Sequence, residues 1–519
     1  MAKIIYTDEM EEGQALTPDH TSWVYNGLDT VITYEVLDEI KPQLDKVTGA
    51  VYRMALAKQA PVMEMSIRGL LVDQETRNEK IALFQRQLDK VESQLRRLCI
   101  EVWDFDINWR SPKQVNNLLY GVLGLPAIRK RNSKGEMAPT TGRDAIERLA
   151  HNFYAEPICN HLLALRDLGK KLGFLKTGID SDGRMRSGFN IAGTRTGRLS
   201  SSMSEFGTGT NTQNVDRDLR EVFIADPGMI FVNIDLEQAD SRNVGAICWN
   251  LFVESHGPEF AGAYLDACES GDLHTTVCRM AWTMLDWPAD QTKWREVADQ
   301  VAYRNLSYRD LSKRLGHGTN YYGQPRTMAK HSKVDVRVIE DFQRAYFGAF
   351  PCIQEWHQYV KDELKRSATL DTLLGRRRIF FGRHNADETL REAIAYAPQG
   401  STAEEIDEGY YQVWRAFGPD QVQLLVQVHD SILLQIPYDQ VNTLVPQILD
   451  TMQVELTLKQ GRKFTVPLEA KVGWNWGDVK YKDGKAVGNL KGLDKWKGRE
   501  DRQPPARLNP LKRNRVRNL

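Results

Sequence analysis

Two aspartates stand at the ends of two apolar stretches that lie far apart in the chain. Asp235 closes the segment MIFVNID, and Asp430 follows the segment QVQLLVQVH. Stretches rich in β-branched and other apolar residues are typical of strands, so a rigid element would hold each carboxylate. Two carboxylates that meet at one edge of a sheet can hold two divalent ions about 4 Å apart, the arrangement for in-line phosphoryl transfer. The alternative is that both aspartates only form turns or caps, which is the commoner role of such residues.

A second candidate set repeats every four residues. Its members are Arg309, Lys313, His317 and Tyr321. On a helix, this spacing places the four side chains along one face. Cations followed by a ring would suit a nucleoside triphosphate, because the cations can bind its phosphates and the ring can pack on its base or sugar. The alternative is a solvated basic face with Tyr321 buried.

A third candidate is the small-residue segment TRTGRLSS at 194–201, with NTQN following at 211–214. Small residues let a backbone approach a ligand closely. Arg198 within this segment could donate hydrogen bonds to a phosphate or to a base edge in the minor groove. By itself the segment could equally be a loop rich in glycine and serine.

The elements that would position these residues alternate between helices and short strands. Apolar spacing predicts helices over about 21–49, 51–68, 74–103, 292–330, 335–366 and 402–417, with further helix starts at Ser111-Pro112 and near Thr141. Residues 229–235 form one predicted strand, and residues 421–436 form two around a tight His-Asp turn. Glutamines at 421, 423 and 427 alternate with apolar residues, the pattern of a half-buried strand. We therefore predict an α+β fold with helices outside a small antiparallel sheet.

The composition is that of a globular protein. With 519 residues the chain is long enough for about two to four packed units, and 41% hydrophobic and 27% charged residues exclude disorder over most of it. No apolar run approaches the roughly 18 residues of a membrane span, and the acidic start argues against a secretory signal. The six scattered cysteines are expected to be buried or free thiols, with a Cys268–Cys278 metal pair as the alternative. These features together favour a reducing, cytoplasmic location.

Charge is balanced over the whole chain but not along it. The 69 basic and 69 acidic residues argue against indiscriminate binding of polyanions by the whole surface. Residues 480–519, however, hold 13 Lys and Arg against 4 Asp and Glu. We expect a basic, flexible tail there, which either aids solubility or contacts phosphates.

Taken in order, the candidate segments resemble the motifs of family A, or polymerase-I-like, DNA polymerases. The segment DLEQADSR at 235–242 is similar to motif A, residues 309–321 are similar to motif B on the fingers helix, and QVHD at 427–430 is similar to motif C. Further similar segments are SPKQVNNLL at 111–119, TRTGRLSS with the following QN, Asp272-Leu-His274, GRRR at 375–378, Gln399-Gly400 and Val472-Gly-x-Asn475-Trp476. The resemblance covers roughly residues 20–480 and implies a right-hand polymerase fold of thumb, palm and fingers.

The resemblance also implies a division of the chain. The expected parts are a remnant of an exonuclease domain, or docking segment, at 1–50, a thumb with flanking palm helices at 51–185, a first palm part at 186–273, fingers at 274–385, a second palm part at 386–480 and the flexible tail at 481–519. Motif A would then lie in the first palm part, motif B in the fingers and motif C in the second palm part.

The activity that the resemblance implies is template-directed DNA synthesis with two Mg²⁺ ions, for which Mn²⁺ can substitute. Primer-template DNA and dNTPs would be the partners. Asp235 and Asp430 would bind the metals, assisted by the Leu236 carbonyl, and Lys313 would protonate the leaving pyrophosphate. The expected nucleotide-binding residues are Arg309, Lys313, His317, Tyr321, His274, Gln238 and Asp240. The expected DNA-binding residues are Arg198, Thr196, Asn214, Arg391, Gln399 and His429.

Four residues depart from the family pattern. Ser431 stands where the family usually has a Glu after the motif C aspartate, and Asp240 stands where it has a Glu that screens the sugar 2′ position. His317 replaces a Phe or Tyr, and Tyr322 replaces a Gly. Both metal-binding aspartates remain, so we expect activity with altered nucleotide selectivity.

Near the start of the chain, Tyr25 and Asp29 resemble the final YxxxD motif of a 3′–5′ exonuclease domain. That chemistry needs further carboxylates upstream, and only 24 residues precede Tyr25. We therefore expect no proofreading by this chain alone, and a separate exonuclease chain that docks here and uses Asp29. The alternative is a helix whose Tyr and Asp only cap or pack. The compact form and the divergent motif B also suggest a phage origin, with the host cytoplasm as location.

Two other functions are compatible with these residues. A single-subunit RNA polymerase or a reverse transcriptase shares a palm with paired aspartates, but the TGRLSS and QVHD segments favour the DNA polymerase. A catalytically silent DNA-binding scaffold is disfavoured, because Asp235, Asp430, Arg309, Lys313 and Tyr321 are all retained.

Overall fold

The computed structural model describes residues 17–132, 135–303, 306–482 and 484–505. Its α-helices are α1 (Pro18–Ile40), α2 (Lys46–Ala57), α3 (Gln59–Arg68), α4 (Gln74–Trp103), α5 (Pro112–Asn116), α6 (Arg143–Leu149), α7 (Glu156–Leu175), α8 (Ala239–His256), α9 (Pro258–Glu269), α10 (Leu273–Ala281), α11 (Trp294–Ala298), α12 (Tyr308–Asn320), α13 (Pro325–Ser332), α14 (Val336–Ala349), α15 (Pro351–Arg366), α16 (Asp387–Ala416) and α17 (Val441–Met452). Its strands are β1 (Leu70–Val72), β2 (Arg129–Arg131), β3 (Met137–Pro139), β4 (Arg184–Met185), β5 (Gly188–Asn190), β6 (Ser200–Ser202), β7 (Phe223–Ile224), β8 (Met229–Leu236), β9 (Val301–Tyr303), β10 (Leu306–Ser307), β11 (Thr369–Asp371), β12 (Arg377–Ile379), β13 (Gln423–Val428), β14 (Ser431–Pro437), β15 (Glu455–Thr457), β16 (Lys463–Thr465), β17 (Leu468–Gly473), β18 (Lys480–Lys482), β19 (Lys485–Gly488) and β20 (Asp494–Lys495).

These elements form two compact units. The first unit contains the chain through Gln59, Gln238–Glu405 and Glu455–Phe464. The second unit contains Ala60–Glu237, Ile406–Val454 and the chain from Thr465 onward. The boundaries expected for thumb, palm, fingers and the N-terminal segment stay predictions.

A five-stranded antiparallel sheet forms the centre of the second unit. Its strand order is β13-β14-β8-β17-β20. The middle strand β8 is built from the apolar run MIFVNIDL, and its residues 230–232 and 234 are buried. The predicted strand at 229–235 and the two predicted strands around the His-Asp turn are therefore confirmed. The predicted α+β class with a small antiparallel sheet is confirmed as well.

The half-buried pattern predicted for the first strand of this hairpin is wrong. All of β13 from Leu424 to Val428 is buried, and Gln427 is only 2% exposed. The Gln427 amide donates to the His429 carbonyl, while the Gln213 amide donates to the Gln427 side-chain oxygen over 3.1 Å. A polar side chain can be buried when its hydrogen bonds are made, so alternation of glutamines did not indicate a solvated face.

Two helix predictions are confirmed closely. Helix α4 spans Gln74–Trp103, the predicted 74–103. Helix α5 begins after Ser111, whose hydroxyl accepts the Gln114 N–H, and has Pro112 at its first position. The helix predicted from Thr141 begins at Arg143, and the one predicted over 402–417 is the last part of the 30-residue α16.

Three long helix predictions are wrong. The predicted 21–49 helix is divided, since the Asp45 carboxylate accepts the N–H groups of Val47 and Thr48 and starts α2 there. The helical stretch predicted over 51–68 is confirmed as the end of α2 and the whole of α3, with a break at Lys58 alone. The predicted 335–366 helix breaks at Phe350, and Pro351 opens α15. The predicted 292–330 helix is a short helix, a two-stranded ribbon and then α12 and α13.

The first unit is assembled on the contact between α8 and α9. A Cβ on Gly245 would lie 2.8 Å from the Leu265 Cα, so only glycine permits this approach. Tyr264 on α9 then packs against Phe350 and lies near Tyr346, with ring centroids 5.0 and 6.1 Å away. This aromatic cluster supports α12, whose Asn320 amide donates to the Tyr264 hydroxyl over 2.8 Å.

Three predictions on the whole chain have clear outcomes. All six cysteines are buried and free of disulfides, as expected. No helix within the described ranges combines the length and the apolar character that a membrane crossing requires. The flexible tail expected from residue 480 is wrong for the described part, because β18, β19 and β20 lie there and β20 pairs with β17. Residues 506–519, which hold the basic end LKRNRVRNL, lie outside the described residues.

Candidate active-site residues

The two candidate metal-binding aspartates lie at the same end of two neighbouring strands of the second unit. Asp235 is the last residue but one of β8 and lies directly opposite Ser431, the first residue of β14. Asp430 occupies the two-residue turn between β13 and β14, where His429 adopts a left-handed φ of 56°. The Leu236 N–H donates to the Asp430 carbonyl over 3.1 Å. The backbone therefore holds both carboxyl groups at the same edge of the sheet.

The carboxylates of Asp235 and Asp430 interact electrostatically. Loss of solvation and the charge of Asp430 raise the pKa of Asp235 to about 7, although part of its side chain is exposed. Glu469, opposite Asp235 on β17, adds to the increase, and Lys471 opposes it. A divalent cation would neutralise such a pair.

The donor set fits a hard divalent cation. The groups at this edge are carboxylate and carbonyl oxygens, which Mg²⁺ prefers, and Mg²⁺ usually keeps waters and substrate phosphates as its other ligands. Within the described ranges, no cluster of three or more His, Cys, Asp or Glu side chains is placed to hold a metal. A site built on Asp235 and Asp430, with the Leu236 carbonyl, would therefore need the substrate to complete it.

The second candidate set lies in the first unit and includes a strong ion pair. The Arg309 guanidinium, in the first turn of α12, donates two hydrogen bonds of 2.8 and 2.9 Å to the Asp272 carboxylate. Asp272 also caps α10 through Thr275. The Arg309 contact holds the pKa of the Asp272 carboxyl well below its usual range, against the effect of burial. The sequence had indicated the Asp272-Leu-His274 segment but not this pairing.

Two histidines lie near the cations of α12: His274 on α10 and His317 on α12 itself. Burial, with the charges of Arg309 and Lys313, lowers the pKa of His274 to about 4, so this imidazole is neutral at pH 7. The His317 ring lies 4.8 Å from the Tyr321 ring, and loss of solvation lowers the pKa of His317 against the charge of Asp240. Tyr321 is not within the helix but is its C-cap residue. The structure therefore brings Asp240 together with five predicted nucleotide-binding residues, which are His274, Arg309, Lys313, His317 and Tyr321.

Gln238 and Asp240 stand at the start of α8 in the same unit. Gln238 is the N-cap residue, with a left-handed φ of 55°, and its buried side-chain oxygen has no hydrogen-bond partner among the described residues. The Asp240 carboxylate lies 3.2 Å from the Thr402 hydroxyl of α16. No pattern in the sequence indicated the contact between Asp240 and Thr402, because the two residues are 162 positions apart.

The candidate DNA-binding residues are divided between the two units. Thr196 and Arg198 lie in the connection between β5 and β6, where the Thr194 hydroxyl donates to the Arg198 carbonyl over 2.7 Å. Asn214 ends a short 3-10 turn beside Gln213, which bonds to the motif C strand. These three residues and His429 are in the second unit, whereas Arg391 and Gln399 lie on the part of α16 that belongs to the first.

Tyr25 and Asp29 lie one turn apart on α1, as predicted for a helix. None of the residues of α1 is buried, and Tyr25 is 64% exposed. Tyr25 therefore does not pack in a core, and the resemblance of Tyr25 and Asp29 to an exonuclease motif stays a prediction.

The fold is of the α+β type and is that of a polymerase domain. Its likeness to a solved structure, the POL domain of Pol1 from M. smegmatis in complex with DNA primer-template and dNTP, has a TM-score of 0.65 at 23% identity and covers 82% of this chain and 70% of that one. The model for DNA polymerase family A matches residues 74–478. The chain belongs to DNA polymerase family A.

Curated relatives agree with this assignment. DNA polymerase I of Mycobacterium tuberculosis is 27% identical over 459 residues, which cover 85% of this chain and 45% of that protein. DNA polymerase I of Geobacillus stearothermophilus is 26% identical over 440 residues, with 80% and 44% covered. The matched part of this chain thus spans a little under half the length of these relatives.

Proposed function

We propose that this protein is a template-directed DNA polymerase that extends a primer with dNTPs in DNA replication. The primer 3′-oxygen would attack the α-phosphorus of the dNTP, and the bond to pyrophosphate would break. The observation that carries the proposal is the interacting pair of carboxylates, Asp235 on β8 and Asp430 in the turn that leads into the adjacent strand β14. Membership of DNA polymerase family A supports the same reaction.

Asp235, Asp430 and the Leu236 carbonyl would hold divalent metal ions, with Mg²⁺ as our proposal and Mn²⁺ as a substitute. When bound, such ions lower the pKa of the attacking hydroxyl and stabilise charge on the leaving group. The protein contributes the fixed position of both carboxylates. Ser431, in place of a second acidic residue beside Asp430, leaves these two as the proposed carboxylate ligands.

The positive face of α12 would bind the triphosphate. Lys313 would donate a proton to the leaving pyrophosphate, and Arg309 would bind phosphate oxygens from the orientation in which Asp272 holds it. His274, neutral at pH 7, would donate a hydrogen bond without adding charge. Tyr321 and His317 would pack on the nucleotide, with Gln238 and Asp240 on the sugar side.

The primer-template would contact Thr196, Arg198, Asn214, His429, Arg391 and Gln399. Since the template base supplies the sequence information, these residues need to bind the backbone and the minor groove rather than to read bases. The exposed position of His429 in the motif C turn supports this role, as does the hydrogen bond by which Gln213, the neighbour of Asn214, contacts Gln427 of the motif C strand.

Primer extension with and without Mg²⁺ tests this proposal. Asp235→Ala and Asp430→Ala should each lower extension by more than tenfold while primer-template binding is retained, because each removes a metal ligand and no basic contact. Asp450→Ala, which removes an exposed carboxylate from α17 in the same unit, is the matched control and should extend normally. Extension with NTPs in preference to dNTPs would instead identify an RNA polymerase, and binding without extension would identify a silent scaffold.

We also propose that this chain has no proofreading activity of its own and that a separate 3′–5′ exonuclease chain docks on α1. The supporting observations are the exposed aromatic side chains of Trp23, Tyr25 and Tyr34 and the lack of Lys and Arg in this acidic helix. A partner with an apolar, basic surface would match it. The proposal is refuted if the isolated chain excises a mismatched 3′-end and the Asp29→Ala variant still does so. It is supported if excision requires a partner chain and is lost in the Asp29→Ala variant.

A further inference from the structure

The carboxylate of Asp240 is connected to a chain of buried polar groups. Its Oδ1 lies 3.2 Å from the Thr402 hydroxyl. That hydroxyl also lies 3.0 Å from the carbonyl of Pro398, one turn earlier on α16. Thr402 is fully buried, so water cannot replace these partners. All of these groups belong to the first unit.

Asn243 limits the hydrogen bonds that the Thr402 hydroxyl can make. Its side-chain amide donates to the Thr402 oxygen over 3.0 Å and to Glu405 over 2.9 Å. The Thr402 oxygen therefore accepts from Asn243, and its single proton is left for Asp240 or for Pro398. Asn243 is one turn after Asp240 on α8, so the same helix supplies both side chains that contact the Thr402 hydroxyl.

Burial gives this arrangement a single geometry. Asn243 and Thr402 are fully buried and Glu405 is 4% exposed. The Asn243 side-chain oxygen has no hydrogen-bond partner among the described residues, so its amide is oriented by the two bonds that its nitrogen makes. Leaving a buried polar group without a hydrogen bond costs free energy of folding. The Asn243 amide therefore keeps both bonds of its nitrogen, and these bonds fix the orientation of Thr402 and Glu405.

We propose that Thr402 is a positioning residue for sugar selection. Its hydroxyl is held by Asn243, which Glu405 holds in turn, and it fixes the Asp240 carboxylate against the 2′ position of the incoming nucleotide. This inference rests on the proposed polymerase function. Aspartate is one methylene shorter than the glutamate usual in the family, so its reach depends on a fixed rotamer. The Thr402 contact supplies that restraint, and the ligand it discriminates against is a ribonucleoside triphosphate.

The test compares variants that differ only in the hydroxyl. Thr402→Val keeps the shape and removes the hydroxyl, while Thr402→Ser keeps the hydroxyl. The ratio of kcat/KM for dNTPs to that for NTPs should fall about tenfold in Thr402→Val and stay unchanged in Thr402→Ser. The fall should come from faster NTP incorporation, which a merely loosened helix contact would not produce.

A double-mutant cycle and a matched control isolate the contact. In an Asp240→Ala background, Thr402→Val should no longer change the ratio. Ser401→Ala removes the next buried hydroxyl of α16, which donates to Ala397 and accepts the Leu373 N–H. This control should lower the melting temperature without changing the dNTP/NTP ratio.

The possible failures are separable. Wild-type protein that extends primers with dNTPs, together with an unchanged ratio in Thr402→Val, overturns the positioning role alone. Wild-type protein that extends no primer overturns the polymerase proposal on which the inference rests. Should Thr402→Val not fold, Thr402→Cys keeps the size with a much weaker donor, and the same fall in the ratio is expected of it.

Discussion

Replacing Glu405 with Gln should change how the stability of this protein depends on pH. Burial raises the pKa of Glu405 to about 8, with smaller increases from Glu404 and Asp240, while the hydrogen bond from Asn243 opposes them. Gln is nearly the same shape and can still accept the Asn243 hydrogen bond. The substitution therefore removes the titration and preserves the packing.

The sign and size of the effect follow from linkage. A carboxyl group has a pKa near 4.5 when unfolded, so between pH 4.5 and 8 the folded protein binds more protons at Glu405 than the unfolded chain does. Stability contributed by this group is fully present below pH 4.5 and is lost as the pH rises towards 8. From pH 6 to pH 8 the loss is about 2 kcal/mol, since the slope is about 1.4 kcal/mol per pH unit and diminishes as the group ionises near pH 8. Above pH 9 the contribution is constant.

The assay is urea-induced unfolding followed by tryptophan fluorescence at pH 6, 7, 8 and 9. The free energy of unfolding of wild type relative to Glu405→Gln should fall by about 2 kcal/mol between pH 6 and 8 and then level off. Glu388→Gln, which changes an exposed carboxylate in the first turn of α16, should run parallel to wild type over this range. Parallel curves for Glu405→Gln and wild type would show that Glu405 is ionised in the folded protein, and the reasoning would be wrong.

Two further predictions concern the backbone. Tyr322 has a left-handed φ of 59°, which costs about 1–2 kcal/mol for a non-glycine residue. The Tyr322→Gly protein should therefore be more stable to urea than the Tyr322→Ala protein by about that amount. Equal stabilities of the two variants would contradict this strain. Gly245→Ala should destabilise the protein by about 2 kcal/mol, because the new Cβ would meet the Leu265 backbone. Gly173→Ala, in the last turn of α7 where a Cβ would have no atom within 4 Å, should instead stabilise it by up to about 1 kcal/mol. The melting temperatures of the Gly245→Ala and Gly173→Ala proteins test this prediction. A Gly245→Ala protein as stable as wild type would refute the close approach of α8 and α9.

Much of the second unit's sheet could be predicted from local sequence. The apolar run before Asp235 and the two runs around His429 and Asp430 are strand signals on their own. A two-residue turn also fixes the register of its hairpin, so the place of Asp430 at a strand end followed from the sequence. The similar segments of DNA polymerase family A then gave these residues their order and their expected roles.

Helix ends were harder to predict, because apolar periodicity continues through the breaks. Asp45 begins a helix only because its carboxylate reaches the next N–H groups, and a Pro such as Pro351 can either end a helix or begin one. The burial of Gln427 depends on Gln213, 214 positions away, and no periodicity within β13 indicates it. Such features depend on single side-chain contacts rather than on a repeated pattern.

The sequence by itself determined the fold class, the strands that carry Asp235 and Asp430, and the face of α12 that carries Arg309, Lys313 and His317, since each depends on residues that are close in the chain. The tertiary structure decided which groups those residues meet. Arg309 pairs with Asp272 across 37 positions, and Asp240 meets Thr402 across 162. Local patterns specify local structure through backbone geometry, whereas contacts between distant segments exist only after the chain has closed around its core.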